Sequence, residues 1–89
     1  MAKDLTSLSM KPSEGELKVG TPVQLNLFAH DNRGRADLVP GNMAVWTSGN
    51  TSVAEVSRQG RLTPRGPGSV TIVAVYADKK AVGLFTVVD

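Results

Sequence analysis

Apolar and polar residues alternate along much of this chain with a period of two, the pattern of β-strands that are buried on one face. The cleanest example is Val23–Ala29, in which every second residue is apolar and Phe28 is the one aromatic on the polar side. No segment carries a sustained helical period. The pattern therefore predicts a chain that is built from strands.

Clusters of Gly, Pro, Ser and Asn divide the other apolar runs into short pieces, as turns between strands do. Seven strands are predicted: Leu5–Met10, Val23–Ala29, Ala44–Thr47, Val53–Val56, Arg61–Thr63, Val70–Tyr76 and Ala81–Val88. Leu17–Val19 is expected to rejoin a sheet edge, and Asp31–Asn42 is the longest turn-like segment. Frequent turns without crossover helices favour an antiparallel two-sheet sandwich over a parallel sheet.

The only tryptophan, Trp46, is predicted to fill the space between the two sheets from the third strand. The residues expected to be buried with it are Leu25, Leu27, Ala54, Val56, Leu62, Val70 and Ile72. The last strand is apolar on both faces. The pattern leaves open whether Val82 and Leu84 or Gly83 and Phe85 point inward.

Length and composition narrow the class of protein. With 89 residues the chain is expected to form one domain over residues 1–89, with a core of about 5–88. The absence of cysteine excludes disulfides and thiolate metal ligands. The net charge of +2 is a small excess, whereas nucleic-acid-binding proteins usually cluster far more positive charge. No apolar run approaches the roughly 18 residues of a membrane span, and the residues after Met1 do not form a secretory signal.

An ordered series of short segments gives the chain a specific resemblance. They are Leu17-Lys18-Val19-Gly20, Val23-Gln24-Leu25, Val45-Trp46-Thr47-Ser48, Ser52–Ser57, Gly60-Arg61-Leu62-Thr63 and Pro67–Ile72. In order and spacing the series resembles the bacterial immunoglobulin-like domains of group 2, found in intimin- and invasin-type adhesins. The resemblance covers about Leu5 to Val88, and the long Asp31–Asn42 segment departs modestly from the family's commonest form.

The resemblance implies an all-β, seven-stranded antiparallel immunoglobulin-like sandwich without catalysis. It also implies a module at the bacterial cell surface or outside the cell, often one of a tandem array, that spaces or presents an adhesive tip. Two other contexts stay open: an accessory, carbohydrate-contacting domain of a secreted polysaccharide-acting enzyme, and a surface domain of a phage virion. The expected partners are neighbouring domains of the same chain and a host-cell receptor or surface glycan. The isolated domain is expected to be a monomer without a cofactor.

Candidate catalytic and metal-binding residues are few. His30 lies next to Asp31, but adjacent strand residues point to opposite faces, so the pair is poorly placed for a Ser-His-Asp arrangement. The acidic residues are scattered among turns and ends, which is unlike a two-carboxylate cleft. Asp31, Asn32 and Asp37 share a loop without the dense oxygen spacing of a calcium site. Neither catalysis nor a metal site is expected.

Basic residues supply the one candidate binding site. In an up-and-down sandwich the loops after the second, fourth and sixth strands share one end. That end would gather Arg33, Arg35, Arg58 and Lys79 into a cationic tip for anionic glycan or phosphate groups. The simpler interpretation is that charged residues populate turns for solubility. The first strand starts at this same end, so a preceding domain of an array would cover it.

Overall fold

The computed structural model describes residues 5–89, and their backbone forms ten strands and one 3₁₀ turn. The strands are β1 (Leu5–Lys11), β2 (Glu14–Lys18), β3 (Val23–Gln24), β4 (Asn26–Asp31), β5 (Ala36–Val39), β6 (Val45–Ser48), β7 (Ala54–Val56), β8 (Arg61–Pro64), β9 (Gly68–Tyr76) and β10 (Lys79–Val88). The 3₁₀ turn, Gly41–Met43, directly precedes β6. The described residues contain no helix of the length and hydrophobicity that crossing a membrane requires.

The strands form two layers. One layer is a four-stranded sheet in the order β2–β10–β9–β6. The other layer is built along β3 and β4, which are one extended segment interrupted at Leu25. On this segment β4 pairs with β1 and β5, while β3 pairs with β8, which in turn pairs with β7. We call this second layer the split sheet.

This architecture confirms the immunoglobulin-like sandwich that the sequence predicts, with ten strands instead of seven. The three extra strands are β5, the edge strand β2, and the second piece of the predicted strand Val23–Ala29, which is interrupted at Leu25. Within the expected turn Asp31–Asn42, the segment Ala36–Val39 pairs with β4 because Val39, opposite Leu27, is buried. The expected edge strand is β2, and it runs parallel to β10 while every other pairing is antiparallel.

The core lies between the two layers. Six of the eight predicted core residues are buried: Leu25, Leu27, Ala54, Leu62, Val70 and Ile72. Trp46 and Val56 are only half-buried, which corrects the prediction that both lie fully inside. They sit on the open side of the sandwich, where β6 and β7 are the outermost strands of their layers. A side chain at such a margin has core atoms on one side only.

The last strand resolves the choice that the sequence leaves open. Gly83 and Phe85 face inward, whereas Val82 is 50% and Leu84 59% exposed. A Cβ on Gly83 would come within 2.7 Å of the Met10 sulfur, so this position has no room for a larger residue unless its neighbours move. The interior therefore selects the face that carries the small residue and the aromatic.

The Trp46 ring connects the four-stranded sheet to the split sheet. Its Nε1–H donates a hydrogen bond to the carbonyl of Gly41 over 2.8 Å. Its six-membered ring lies on Gly60, where an added Cβ would stand 2.5 Å from Cζ2. Gly60 ends the β7–β8 turn at φ +81°, a conformation in the left-handed region that favours glycine. This position is therefore glycine for two reasons, its backbone angle and its contact.

The molecule is elongated, with principal extents of 47 × 19 × 17 Å. Leu5 pairs with Asp31 at one end of the long axis. β9 and β10 run along this axis, and their connecting turn lies at the same end as Leu5, because Tyr76 shares a shallow surface cavity with Leu5 and Ala29. At the other end, the carbonyl of Val88 accepts the N–H of Val19. The two ends of the described chain are thus far apart.

We expect Gly60→Ala to destabilise the domain more than Gly34→Ala. Both glycines have φ +81°, but a Cβ on Gly34 meets nothing within 4 Å. Gly34→Ala should therefore cost only the backbone strain, about 1 kcal/mol, and Gly60→Ala should cost roughly 2 kcal/mol more from the clash with Trp46. Urea unfolding gives both free energies.

A double-mutant cycle isolates the contact itself. In a Trp46→Ala background, Gly60→Ala should cost about as much as Gly34→Ala does, because only the strain at φ +81° remains. Equal costs for the two glycine variants in the parent chain would show that the Trp46–Gly60 contact contributes nothing to stability.

Candidate binding site at the basic end

The turn between β4 and β5 is organised by the carboxylate of Asp31. Its Oδ1 accepts the backbone N–H groups of Arg33 and Arg35, each at 2.9 Å. The Asp31 N–H donates to the Arg35 carbonyl over 2.9 Å, and Gly34 takes φ +81° to close the loop. Asp31 is 6% exposed, while both arginines are exposed. An inward acid thus holds two outward cations in place.

Lys79 reaches the same end of the molecule from the other layer. It pairs with Tyr76 across a two-residue turn in which Ala77 and Asp78 both have positive φ, +50° and +65°. Two successive positive values are those of a type I′ hairpin, whose twist matches the adjoining strands. The structure therefore places Lys79 near the end of the long axis that carries Arg33 and Arg35. We call these three residues the basic end.

Arg58 does not join the basic end, which corrects the predicted four-residue tip. It lies in the β7–β8 turn, where Ser57 Oγ accepts the N–H of Arg61 and the Gly60 carbonyl accepts the N–H of Leu25. Leu25 is six residues from Asp31 along the β3–β4 segment, a separation of roughly 20 Å at the rise of a strand. Because β7 and β8 are only three and four residues long, their turn lies beside the middle of the molecule.

The basic end is a mixed surface. Asp37 on β5 and Asp78 in the β9–β10 turn are exposed close to its cations. Since the nearby carboxylates offset much of the positive potential, any attraction of anions here depends on the placement of the groups and not on net charge.

His30 links two strands. Its Nε2 and the hydroxyl of Ser9 on β1 are 2.8 Å apart, so that a hydrogen bond joins β1 to β4. The neighbouring Asp31 is buried and engaged with the turn backbone, while His30 is half-buried. The Ser9–His30 contact therefore helps to hold β1 and β4 together.

Residues 5–89 include no group of three or more His, Cys, Asp or Glu side chains that could hold a metal ion. Of the loop acids named in the sequence analysis, Asp31 accepts two backbone N–H groups through Oδ1, and Asp37 lies exposed on β5.

A second surface was not anticipated from the sequence. The outer face of the four-stranded sheet carries large exposed apolar side chains on β6 and β10, among them Val45 at 67% and Leu84 at 59% exposure. The available signal was that the last two strands are apolar on both faces. Without the strand register, that signal does not say which residues point outward.

Comparison with known families and structures supports the resemblance read from the sequence. The family described as "Intimin, immunoglobulin-like domain" matches residues 41–78, the segment from the 3₁₀ turn to the β9–β10 turn. This segment contains Trp46 and Gly60. No curated protein sequence matches the chain.

Solved structures agree over more of the chain. An intimin mutant from EHEC O157:H7 is similar at 26% identity with a TM-score of 0.60, over 80% of this chain and 34% of that one. The S-layer protein rSbsC(31-844) is similar at 21% identity with a TM-score of 0.77, over 98% of this chain and 13% of that one. Domains 4 and 5 of SbsC give 20% identity and a TM-score of 0.77, over 99% and 54%. The S-layer structures show a shared fold alone, and this chain spans about a third of the intimin structure.

We expect the basic end to give the isolated domain a weak, salt-sensitive affinity for polyanions. A triple variant with Ser at Arg33, Arg35 and Lys79 should elute earlier from heparin than the parent at low salt. The difference should shrink toward physiological ionic strength, where exposed charges are screened over about 8 Å. Arg58→Ser is the matched control, because it removes one exposed cation from the middle of the molecule. Co-elution of the triple variant and the parent would mean that these residues are only a solvated turn.

The turn that carries the two arginines can be tested by itself. Asp31→Ala leaves two backbone N–H groups without their acceptor and should lower the free energy of unfolding by about 1–3 kcal/mol. Asp31→Asn retains a carbonyl oxygen that can accept the same bonds, so its loss should be smaller. Thermal or urea unfolding measures both. Equal losses for Ala and Asn would assign the effect to the charge instead of the hydrogen bonds.

Proposed function

We propose that this chain, an immunoglobulin-like module of the intimin type, is a non-catalytic building block of a bacterial surface protein. Its role is to space neighbouring domains along the chain and to present an adhesive end away from the cell. The protein-level function to which it contributes is adhesion, with a host-cell receptor or surface glycan as the partner.

The observation that carries this proposal is the separation of the two ends of the described chain. Leu5 lies at the end of the long axis where β1 meets Asp31, and Val88 lies at the opposite end beside Val19. With the long extent at 47 Å against 19 and 17 Å, domains joined end to end extend the chain instead of folding it back. A domain whose ends lay together would add little length.

The strand order supports a module that resists extension along this axis. β10 carries the chain over ten residues to its far end, and it is hydrogen-bonded on both sides, to β9 and to the parallel β2. A pull between the two ends acts along β1 and β10, so it must shear rows of hydrogen bonds instead of peeling them one at a time. A spacer domain in a protein that attaches a cell is pulled along its length, so it requires this resistance to extension.

The comparison with intimin supports placement in a surface protein. That structure is similar over 80% of this chain while this chain spans 34% of it, as expected for one module among others. The basic end supports a contribution to binding, because it presents Arg33, Arg35 and Lys79 at the end from which β1 starts. It is open to a partner only where no preceding domain covers it.

Two copies of residues 5–89 joined directly in tandem test the spacing role. Small-angle scattering at low protein concentration should give a maximum dimension close to twice the 47 Å of one copy. A matched control carries a long Gly/Ser linker between the copies, which should broaden the distance distribution without a sharp maximum. A directly joined pair no longer than one copy would show that the domains fold side by side, and the spacer role would be wrong.

A further inference from the structure

The outer face of the four-stranded sheet carries apolar side chains on three adjacent strands, with Thr47 and Thr71 on the same face. In one row Val45 on β6 lies opposite Val75 on β9, and in the next row Val73 on β9 lies opposite Val82 on β10. Leu84 extends the surface two residues further along β10. We call the five side chains Val45, Val73, Val75, Val82 and Leu84 the apolar face.

This surface differs from ordinary scattered exposure. An antiparallel sheet with one face on the core normally presents alternating polar residues on the other face. Here Val45, Val82 and Leu84 are 67%, 50% and 59% exposed, and the half-buried Val73 and Val75 lie between them. Contiguous apolar surface of this kind marks an interaction site, whereas single exposed apolar residues do not.

Charged residues of opposite sign flank the apolar face at its two ends. Lys80 lies at the end nearer the β9–β10 turn, opposite Val75. At the other end Glu14 on β2 lies opposite Leu84, and it is followed on the same face by Glu16 opposite Thr86 and Lys18 opposite Val88. All four charged side chains are exposed. Lys80 and Leu84 are four residues apart on β10, which is roughly 13 Å.

We infer that the apolar face binds a second copy of this chain, with the two four-stranded sheets packed face to face about a two-fold axis that crosses the strands near Val82. This rotation exchanges the two ends of β10. Lys80 of each copy then lies across from Leu84 of the other copy, one strand away from Glu14. The Lys80–Glu14 pair forms twice by symmetry, around a centre of valine and leucine.

The distribution of charge selects both the occupant and the orientation. A second copy is the partner that places an acid, Glu14, beside Lys80 at two symmetric positions, because a two-fold contact uses the same patch twice. An axis parallel to the strands would instead set each Lys80 over Val75 of the other copy and leave the acids without cations. An apolar centre with a charged rim is the usual composition of an interface, and two sheets pack about 10 Å apart with their strands nearly aligned.

This association revises the monomer expected from the sequence and is independent of the proposed function. The apolar face lies on the flank of the elongated domain, whereas spacing depends on its two ends. Two chains that run in opposite directions along their long axes can pair through it. Failure of the pairing would leave the tandem scattering result unchanged, and failure of the spacer role would leave the pairing unchanged.

Leucine substitutions on the two layers give the first test. Sedimentation of the 89-residue chain should show a monomer–dimer equilibrium. Leu84→Ser should raise its dissociation constant about tenfold or more, since the contact occurs twice per dimer. Leu38→Ser is the matched control, because Leu38 is 61% exposed on the split sheet and should change the constant less than about twofold. A parent chain that is monomeric at about 1 mM, or equal effects of both variants, would overturn the proposal.

A charge exchange tests the orientation. Lys80→Glu should weaken the dimer, and so should Glu14→Lys. Combining the two changes restores opposite charges across the contact and should bring the dissociation constant back toward that of the parent. Two weakened dimers without recovery in the combined variant would rule out the antiparallel arrangement. Thermal unfolding of the monomers at high dilution separates loss of association from loss of folding.

Crosslinking gives a third readout that does not depend on affinity. The chain has no cysteine, so Val82→Cys introduces a single thiol near the inferred axis. A short bismaleimide should join two copies of this variant efficiently, and two copies of Leu38→Cys poorly. Equal yields would contradict the location of the axis. A parent chain that stays monomeric would instead leave the apolar face to another domain or another protein, and the proposal would be wrong.

Discussion

The contact between the Trp46 ring and Gly60 fixes how the two layers meet on the open side of the sandwich. Trp46 belongs to β6 in the four-stranded sheet, opposite Ala74, and Gly60 belongs to the turn that enters β8 in the split sheet. The indole N–H holds the carbonyl of Gly41, so that the 3₁₀ turn joins the same contact. A half-buried side chain therefore links β6, the 3₁₀ turn that precedes it and the β7–β8 turn of the other layer.

This contact also explains where the basic residues lie. Since Gly60 must lie on the Trp46 ring, the β7–β8 turn is drawn to the middle of the long axis, and Arg58 goes with it. The sequence correctly indicates the turn but not its position along the strand direction, because turn signals carry no information about register. Arg33 and Arg35 could be placed at an end because Asp31 begins a long segment after a clear strand.

The split sheet and the outer face show when the alternation of apolar and polar residues predicts which side chains point inward and when it does not. The alternation in Val23–Ala29 predicts the inward residues correctly, because one face of that segment packs on the core and the other does not. In β10 the alternation is masked, since Val82 and Leu84 point outward although they are apolar. The room beside Met10 decides between the faces, and only the packed structure contains that information. The parallel pairing of β2 with β10 likewise depends on the whole chain.

The elongated shape relates the proposed spacing to the inferred pairing. In a chain of end-to-end modules the ends of each domain contact its neighbours, and the flanks stay available to other chains. Each flank of this domain has a distinct character: the split sheet carries the hydrogen-bonded Ser9–His30 pair, and the four-stranded sheet carries the apolar face. Val82 and Leu84 therefore serve no need of the isolated sandwich, whose core is closed by Gly83 and Phe85 on the opposite face of the same strand. These outward apolar residues are available for the pairing inferred above, because contiguous exposed apolar surface marks an interaction site.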